Sequence, residues 1–125
     1  MDNFPNELDM RLLLDGFHWK LLHDFEVEDE VLGKIIAPVD FITDLGSIPR
    51  IFWNIIPPNG KPTYAYVIHD YLYATQKTTR KQADDCLFRM MDSLGASTIE
   101  NWTVWSAVRI GGWTAWNLDG KKIKK

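Results

Sequence analysis

The sequence predicts an α+β domain in which an N-terminal antiparallel β-meander packs on a C-terminal three-helix unit containing an antiparallel helix hairpin. Three observations predict it. Residues 10–42 hold short runs of alternating polarity separated by turn formers, the period-two signature of strands with one buried face. Two helical segments centred on Val67–Tyr73 and Arg80–Phe88 are joined by the polar run Gln76-Lys77-Thr78-Thr79, short enough to fold the helices back on each other. A chain of 125 residues is one domain, residues 1–125, large enough to bury a core without disulfides or metals.

The elements follow in order. Met10–Leu14, Asp15-Gly16 and Phe17–Leu22 read as a β-hairpin, because Asp-Gly supplies the two positive φ angles of a tight primed turn. From Trp19 onward Leu21, His23, Phe25 and Val27 alternate with Lys20, Leu22, Asp24 and Glu26, giving one largely apolar face. Glu28-Asp29-Glu30 with Gly33 turns the chain into a further extended run, Lys34–Ile42, and Pro38 puts that run at a sheet edge or a bulge. Thr43–Arg50 is a loop rich in hydrogen-bonding side chains and leads into one apolar helical turn, so that loop and short helix occupy 43–56. Helices are expected over about 64–75, 79–94 and 98–112. Thr79 with Gln82, and Ser97 with Glu100, are capping boxes; Gly95 stops the second helix, and Gly111-Gly112 ends or kinks the third.

Composition narrows the function. The net charge is −3 and the basic residues form no stripe apart from the tail Lys121–Lys125, so no nucleic-acid partner is expected. Met1–Glu7 has neither a positive nor an apolar leader segment, and no run approaches the roughly 20 apolar residues of a membrane span. The single cysteine, Cys86, lies among Leu87, Phe88 and Met90 and reads as a buried apolar group. Six Trp, six Phe and four Tyr, with Trp102, Trp105, Trp113 and Trp116 late in the chain, fill a core or face a partner.

The helix hairpin carries the candidate chemistry. Counted from Lys77, His69 lies eight residues back and Asp84 seven forward, which at about 1.5 Å per residue sets them at nearly one height. A carboxylate meeting the imidazole there fixes its tautomer and raises its basicity, as a general base requires. His69 and Tyr73, four apart, share a helix face. Asp85 competes with Asp84, since neighbouring helix positions point about 100° apart. A histidine on an apolar face is, by itself, more often a core histidine satisfied by a neighbour. Asp70 and Asp44 are hard oxygen ligands suited to calcium or magnesium, although Asp44 also fits a helix cap and a bridge to Arg50. A serine hydrolase would need Ser47 or Ser106 beside His69, and neither sits in a G-x-S-x-G elbow; that reading is set aside.

The motifs Thr43-Asp44-x-x-Ser47-Ile48-Pro49-Arg50, His69-Asp70-x-Leu72-Tyr73 and Arg80-x-x-Ala83-Asp84-x-x-x-Phe88-x-x-Met91 resemble, in that order, a phage and prophage family catalogued as domain of unknown function 1353. The resemblance runs from about residue 8 to residue 113. It implies a bacteriophage origin, a virion or the infected host cytoplasm as location, and a small α+β domain, and it brings no established reaction. Over about 30 residues the helix pair is also similar to that of phospholipases of the A-two type, in which H-D-x-x-Y faces A-D-x-x-F. That resemblance implies His69 as the base that activates water, Asp84 as its orienting carboxylate, Asp70 as a calcium ligand and Tyr73 as a brace. The spacing from Asp84 to Phe88 is one residue longer here, and the glycine-rich calcium loop is missing.

Two functions are therefore expected in competition. One is hydrolysis of a lipid or cell-envelope ester by His69-activated water, with Asp84 and Tyr73 in support and an optional divalent cation at Asp70 and Asp44, involving transient lipid contact. The other is a virion or tail-associated adaptor whose His–Asp network pins the helix hairpin, and whose late tryptophans bind phage structural proteins or a second copy of the chain.

Overall fold

A computed structural model describes residues 4–48 and 61–123. The helical turn expected near 51–56, the proline-rich segment before residue 61 and Arg50 lie outside the described residues. The fold is α+β: among the described residues five short strands come first and four helices follow.

The strands form two small antiparallel sheets. β1 (Met10–Leu12), β2 (Trp19–Leu21) and β5 (Ile42–Thr43) make the first, in the order β1-β2-β5; β3 (Phe25–Asp29) and β4 (Gly33–Ala37) make the second. Leu12 pairs with Trp19, Trp19 with Thr43, and Val27 with Ile35. The turn between β1 and β2 is wider than the two-residue Asp-Gly form. Leu13 N–H donates to the His18 carbonyl at 2.8 Å, and of the Asp-Gly pair only Gly16 has positive φ, 84°. Asp15 instead accepts from the N–H groups of Phe17 and His18, the side-chain turn that competes with a tight hairpin.

The alternation that runs through His23 does not make one strand. Asn6 and Asp24 intervene: Asn6 bonds the Asp24 carbonyl and the Glu26 N–H, and Asp24 takes the Val39 N–H. Past Pro38 the chain turns through Asp40 (φ 72°) before rejoining the first sheet as β5. At the end of β3, buried Asp29 accepts the Val31 and Leu32 N–H groups and holds Arg89 of the second helix through two bonds of 3.0 and 2.8 Å. One carboxylate thus closes the β3–β4 turn and fastens the hairpin to the helices.

α1 (Pro62–Thr75), α2 (Arg80–Ser93), α3 (Thr98–Gly111) and α4 (Trp113–Ile123) complete the domain. Proline opens α1, where its missing N–H is harmless, and Gln76 ends it in the left-handed region, φ 52°. Both capping boxes form, at Thr79/Gln82 and Ser97/Glu100, and Gly95 (φ 90°) terminates α2. The glycine pair bends the chain rather than ending the helical region, so a fourth helix follows the expected three. α4 folds back on α1, with Trp116 edge-on to Tyr73 and its carbonyl accepting from Gln76 Nε2 at 2.6 Å. The core lies between the sheets and α1–α2: Leu21, Phe25, Val27 and Ala37 meet Ala65, Ile68 and Leu72, which back onto Ala83, Cys86, Leu87 and Met90.

Candidate functional site

His69 points from α1 into the hairpin and is wholly removed from solvent, as is Asp84 of α2. The two meet as their heights predict: His69 Nε2 lies 2.7 Å from Asp84 Oδ1. Tyr73, one turn after His69, donates its hydroxyl to the same oxygen at 2.7 Å. The second carboxylate oxygen faces cations, with Arg109 Nη1 of α3 at 2.8 Å and Arg80 Nη1 at 3.5 Å. Arg80 also bonds the Val108 and Arg109 carbonyls in the last turn of α3, sharing the first with the Gly112 N–H. Asp85 turns away, to Lys81 and to the indole N–H of Trp105.

These contacts set the charges. Burial is the largest influence on Asp84 and pushes its pKa up, yet His69, Tyr73 and Arg109 together outweigh it, and the net shift is down. Asp84 is therefore a carboxylate. For His69 burial also dominates and lowers the pKa in spite of Asp84, so the imidazole is neutral. A neutral ring beside a carboxylate places its hydrogen on Nε2 and leaves a lone pair on Nδ1. That lone pair meets Ser47 Oγ at 2.9 Å.

Ser47 comes from the loop after β5, and local backbone conformation aims it. Leu45 is held at φ 60°, a costly conformation for a leucine, with its N–H on Thr43 Oγ1. Gly46 gives its N–H to Asp44 Oδ1 at 2.7 Å; a Cβ there would sit 2.6 Å from that oxygen, so a side chain at this position would displace the Asp44 carboxylate. Ser47 is 2 % exposed and lies on the wall of a cavity of about 470 Å³. Asp44, Asp70 and Asp119 line the polar side of that cavity, and Phe41, Ile42, Ala115 and Leu118 the apolar side.

Asp70 joins the two regions. It accepts from the Thr43 hydroxyl and is hydrogen-bonded to Ser47. Burial first, then the charges of Asp44 and Asp119, push its pKa up to about 6. Burial likewise raises Asp119, against the pull of Lys122. A continuous chain of polar groups thus runs from Thr43 through Asp70, Ser47 and His69 to Asp84 and its arginines.

The structure brings His69, Asp84 and Tyr73 into direct contact, and places Asp70 and Asp44 together on the cavity, one step removed. Among the described residues no three His, Cys, Asp or Glu side chains gather in a metal-holding arrangement. His18 and His23 pair instead with Asp15 and Asp9. Sequence reasoning missed four members of the network, Thr43, Ser47, Arg80 and Arg109. Arg80 was signalled by its i, i+4 spacing from Asp84. Arg109 depends on how α3 packs and left no local signal. Ser47 was set aside for want of an elbow motif, yet tertiary folding puts it beside His69 from 22 residues away.

Comparison with known proteins gives one family. The model of the family described as "Protein of unknown function (DUF1353)" matches residues 19–108, well over half of the chain and inclusive of every network member except Arg109. No curated protein and no solved structure matches.

Proposed function

The chain belongs to the DUF1353 family, whose description names no reaction, and we propose from the site itself that it is a hydrolase with His69 as general base. One observation carries this reading: the His69 imidazole is clamped at Nε2 by Asp84, and its Nδ1 faces Ser47 on a cavity wall. As His69 takes up a proton, the charge that develops is met by Asp84, and Tyr73 keeps that carboxylate in place. The half-apolar, half-acidic cavity suits a carboxylic ester from a lipid or the cell envelope. Asp70 and Asp44 are the groups that would hold a calcium or magnesium ion there, supplying a Lewis acid for the ester carbonyl. The test is hydrolysis of p-nitrophenyl esters by wild type and His69→Asn. Loss of turnover with an unchanged fold supports the base; an unfolded variant assigns His69 to the core.

A second reading rests on Asp84, which receives donors from α1, α2 and α3 and so ties three helices at one buried point. A structural or adaptor protein, in a phage particle or the infected cell, would need that tie alone. Ile99, Trp102, Ile110 and Trp113 are largely exposed on α3 and the start of α4 and are the surface such a protein would offer a partner. Removal of the exposed tryptophans without effect on assembly would count against it.

A further inference from the structure

We infer that Ser47 is a nucleophile, so that hydrolysis proceeds through a covalent acyl-Ser47 rather than by direct attack of a His69-activated water. The inference rests on the hydrolase reading and goes beyond it by naming the group that attacks. Three observations carry it. Ser47 Oγ occupies the position 2.9 Å from Nδ1 that an activated water would take. His69 is oriented from behind by Asp84 at 2.7 Å, which completes the serine, imidazole and carboxylate order of acyl-transferring sites. Ser47 is also the member of this trio that lines the cavity, so a substrate carbonyl entering there meets Oγ before it meets the ring.

The absence of a nucleophile elbow does not weigh against this arrangement, because its roles are recognised by geometry and not by local sequence. Here the sharp turn is supplied by Leu45 in the left-handed region and by Gly46, which allows the close approach of Asp44. Ser47 has a single hydroxyl hydrogen, and the attacking form is the one that gives it to His69 Nδ1 rather than to Asp70, its other hydrogen-bond partner.

The steps balance. As Oγ bonds to the ester carbonyl carbon, its hydrogen passes to His69 Nδ1, and Asp84 stabilises the imidazolium. The tetrahedral intermediate expels the alcohol, breaking the acyl C–O bond, and the alcohol takes the proton from Nδ1. A water then attacks the acyl-Ser47 carbonyl and gives a proton to Nδ1. The carboxylic acid leaves as Oγ recovers that proton.

The experiment treats the full chain with p-nitrophenyl butyrate and, separately, with diethyl p-nitrophenyl phosphate, a neutral agent that phosphorylates activated serines. Ester turnover is followed, and intact mass with peptide mapping locates any adduct. The expected result is turnover together with a diethylphosphoryl adduct on Ser47. Both should be lost in Ser47→Ala, and both should be slowed by roughly 100-fold or more in His69→Asn. Ser47→Cys keeps the side-chain size and reports on the base without a substrate: its thiol should react with iodoacetamide at least ten-fold faster with His69 present than in the His69→Asn background, the increase expected of a thiol whose pKa a neighbouring imidazole lowers. Turnover that survives in Ser47→Ala, with no adduct in wild type, overturns the nucleophile and leaves His69 as a water-activating base. No turnover, no adduct and no His69-dependent thiol reactivity overturn the hydrolase reading with it.

Discussion

Replacing Asp70 with Asn should make the domain more stable at neutral pH and leave it unchanged below about pH 4. The side chain is pushed from an ordinary 3.8 to about 6, by burial first and then by Asp44 and Asp119. A shift of roughly two units at about 1.36 kcal/mol each corresponds to about 3 kcal/mol. Its sign follows from proton counting: between about 3.8 and 6 the folded protein holds a proton on Asp70 that the unfolded chain has lost, so stability falls as pH rises through that window. Below the window both states are protonated and the residue contributes nothing; above it the whole cost of a buried charge is present. Asparagine resembles the protonated acid, has an oxygen for the Thr43 hydroxyl, and removes the cost. Urea unfolding of both proteins at a series of pH values from below about pH 4 to neutral should give curves that coincide at the acid end, separate progressively through the window and differ above about pH 6 by up to about 3 kcal/mol in favour of Asp70→Asn. Parallel curves would refute the burial argument for Asp70. A calcium arm tests the cation at the same time, because an ion held by Asp70 would stabilise wild type above the window by RT ln(1 + [L]/Kd) and leave the variant unmoved.

Asp84→Asn should cost about 3–5 kcal/mol in urea unfolding, because it leaves Arg109 and Arg80 facing an uncharged group; a cost below about 1 kcal/mol would show that solvent reaches the arginines. Gly112→Ala should destabilise by more than the usual range for a surface change, on the order of 2 kcal/mol, since its Cβ would lie 2.5 Å from the Tyr73 hydroxyl and 2.4 Å from the Val108 carbonyl oxygen. A Tm equal to wild type would mean that α4 can shift freely. Arg89→Met should remove the partner of buried Asp29 and cost about 3 kcal/mol at neutral pH. Because burial of Asp29 is outweighed by Arg89 and the Leu32 and Val31 N–H groups and its pKa is depressed, that difference should shrink as pH falls below the ordinary carboxylate range; a cost that does not change with pH counts against the ion pair. Cys86, buried and with its pKa raised, should resist Ellman's reagent in the native state and react fully in urea.

What was legible in the sequence is what short-range physics controls. The capping boxes at Thr79 and Ser97 formed because each needs only a side chain and a backbone three residues apart. The meeting of His69 and Asp84 was legible for a related reason, since helix rise and a short connection fix relative height without knowledge of the rest of the fold. Height does not fix rotation, and the choice between Asp84 and Asp85 required α3, whose Arg109 claims the first and whose Trp105 claims the second. The break between β2 and β3 was hidden because Leu21, Phe25 and Val27 keep their parity across it, while the residues that cause it, Asn6 and Asp24, act through the backbone from either side. α4 had a partial signal: Trp113 and Trp116 are three apart, and Gly120, four beyond Trp116, packs beside Gln76. The Gly111-Gly112 pair was legible as an end or kink, and α3 does stop at Gly111; the new helix that starts at Trp113 was not legible from that pair. Gly112 is required instead by close approach, with Tyr73 and Arg80 occupying the space a side chain would fill.

The network extends further than helix packing requires. Asp84 with Arg80, Arg109 and Tyr73 would already join three helices, and each of those donors lies on the far side of the carboxylate from the cavity chain or beside it. An apolar residue of similar size in place of His69 would fill the hairpin and avoid the desolvation that lowers its pKa. The imidazole adds a connection: it links Asp84 across the core to Ser47, which lines the cavity together with Asp70. A buried imidazole needs a partner for Nδ1 in any case; the proposed chemistry adds that this partner, Ser47, sits on a cavity wall. The left-handed Leu45 is a local backbone cost two residues before that hydroxyl, and if Ser47 is the proposed nucleophile, this turn is the one that sets it against the cavity.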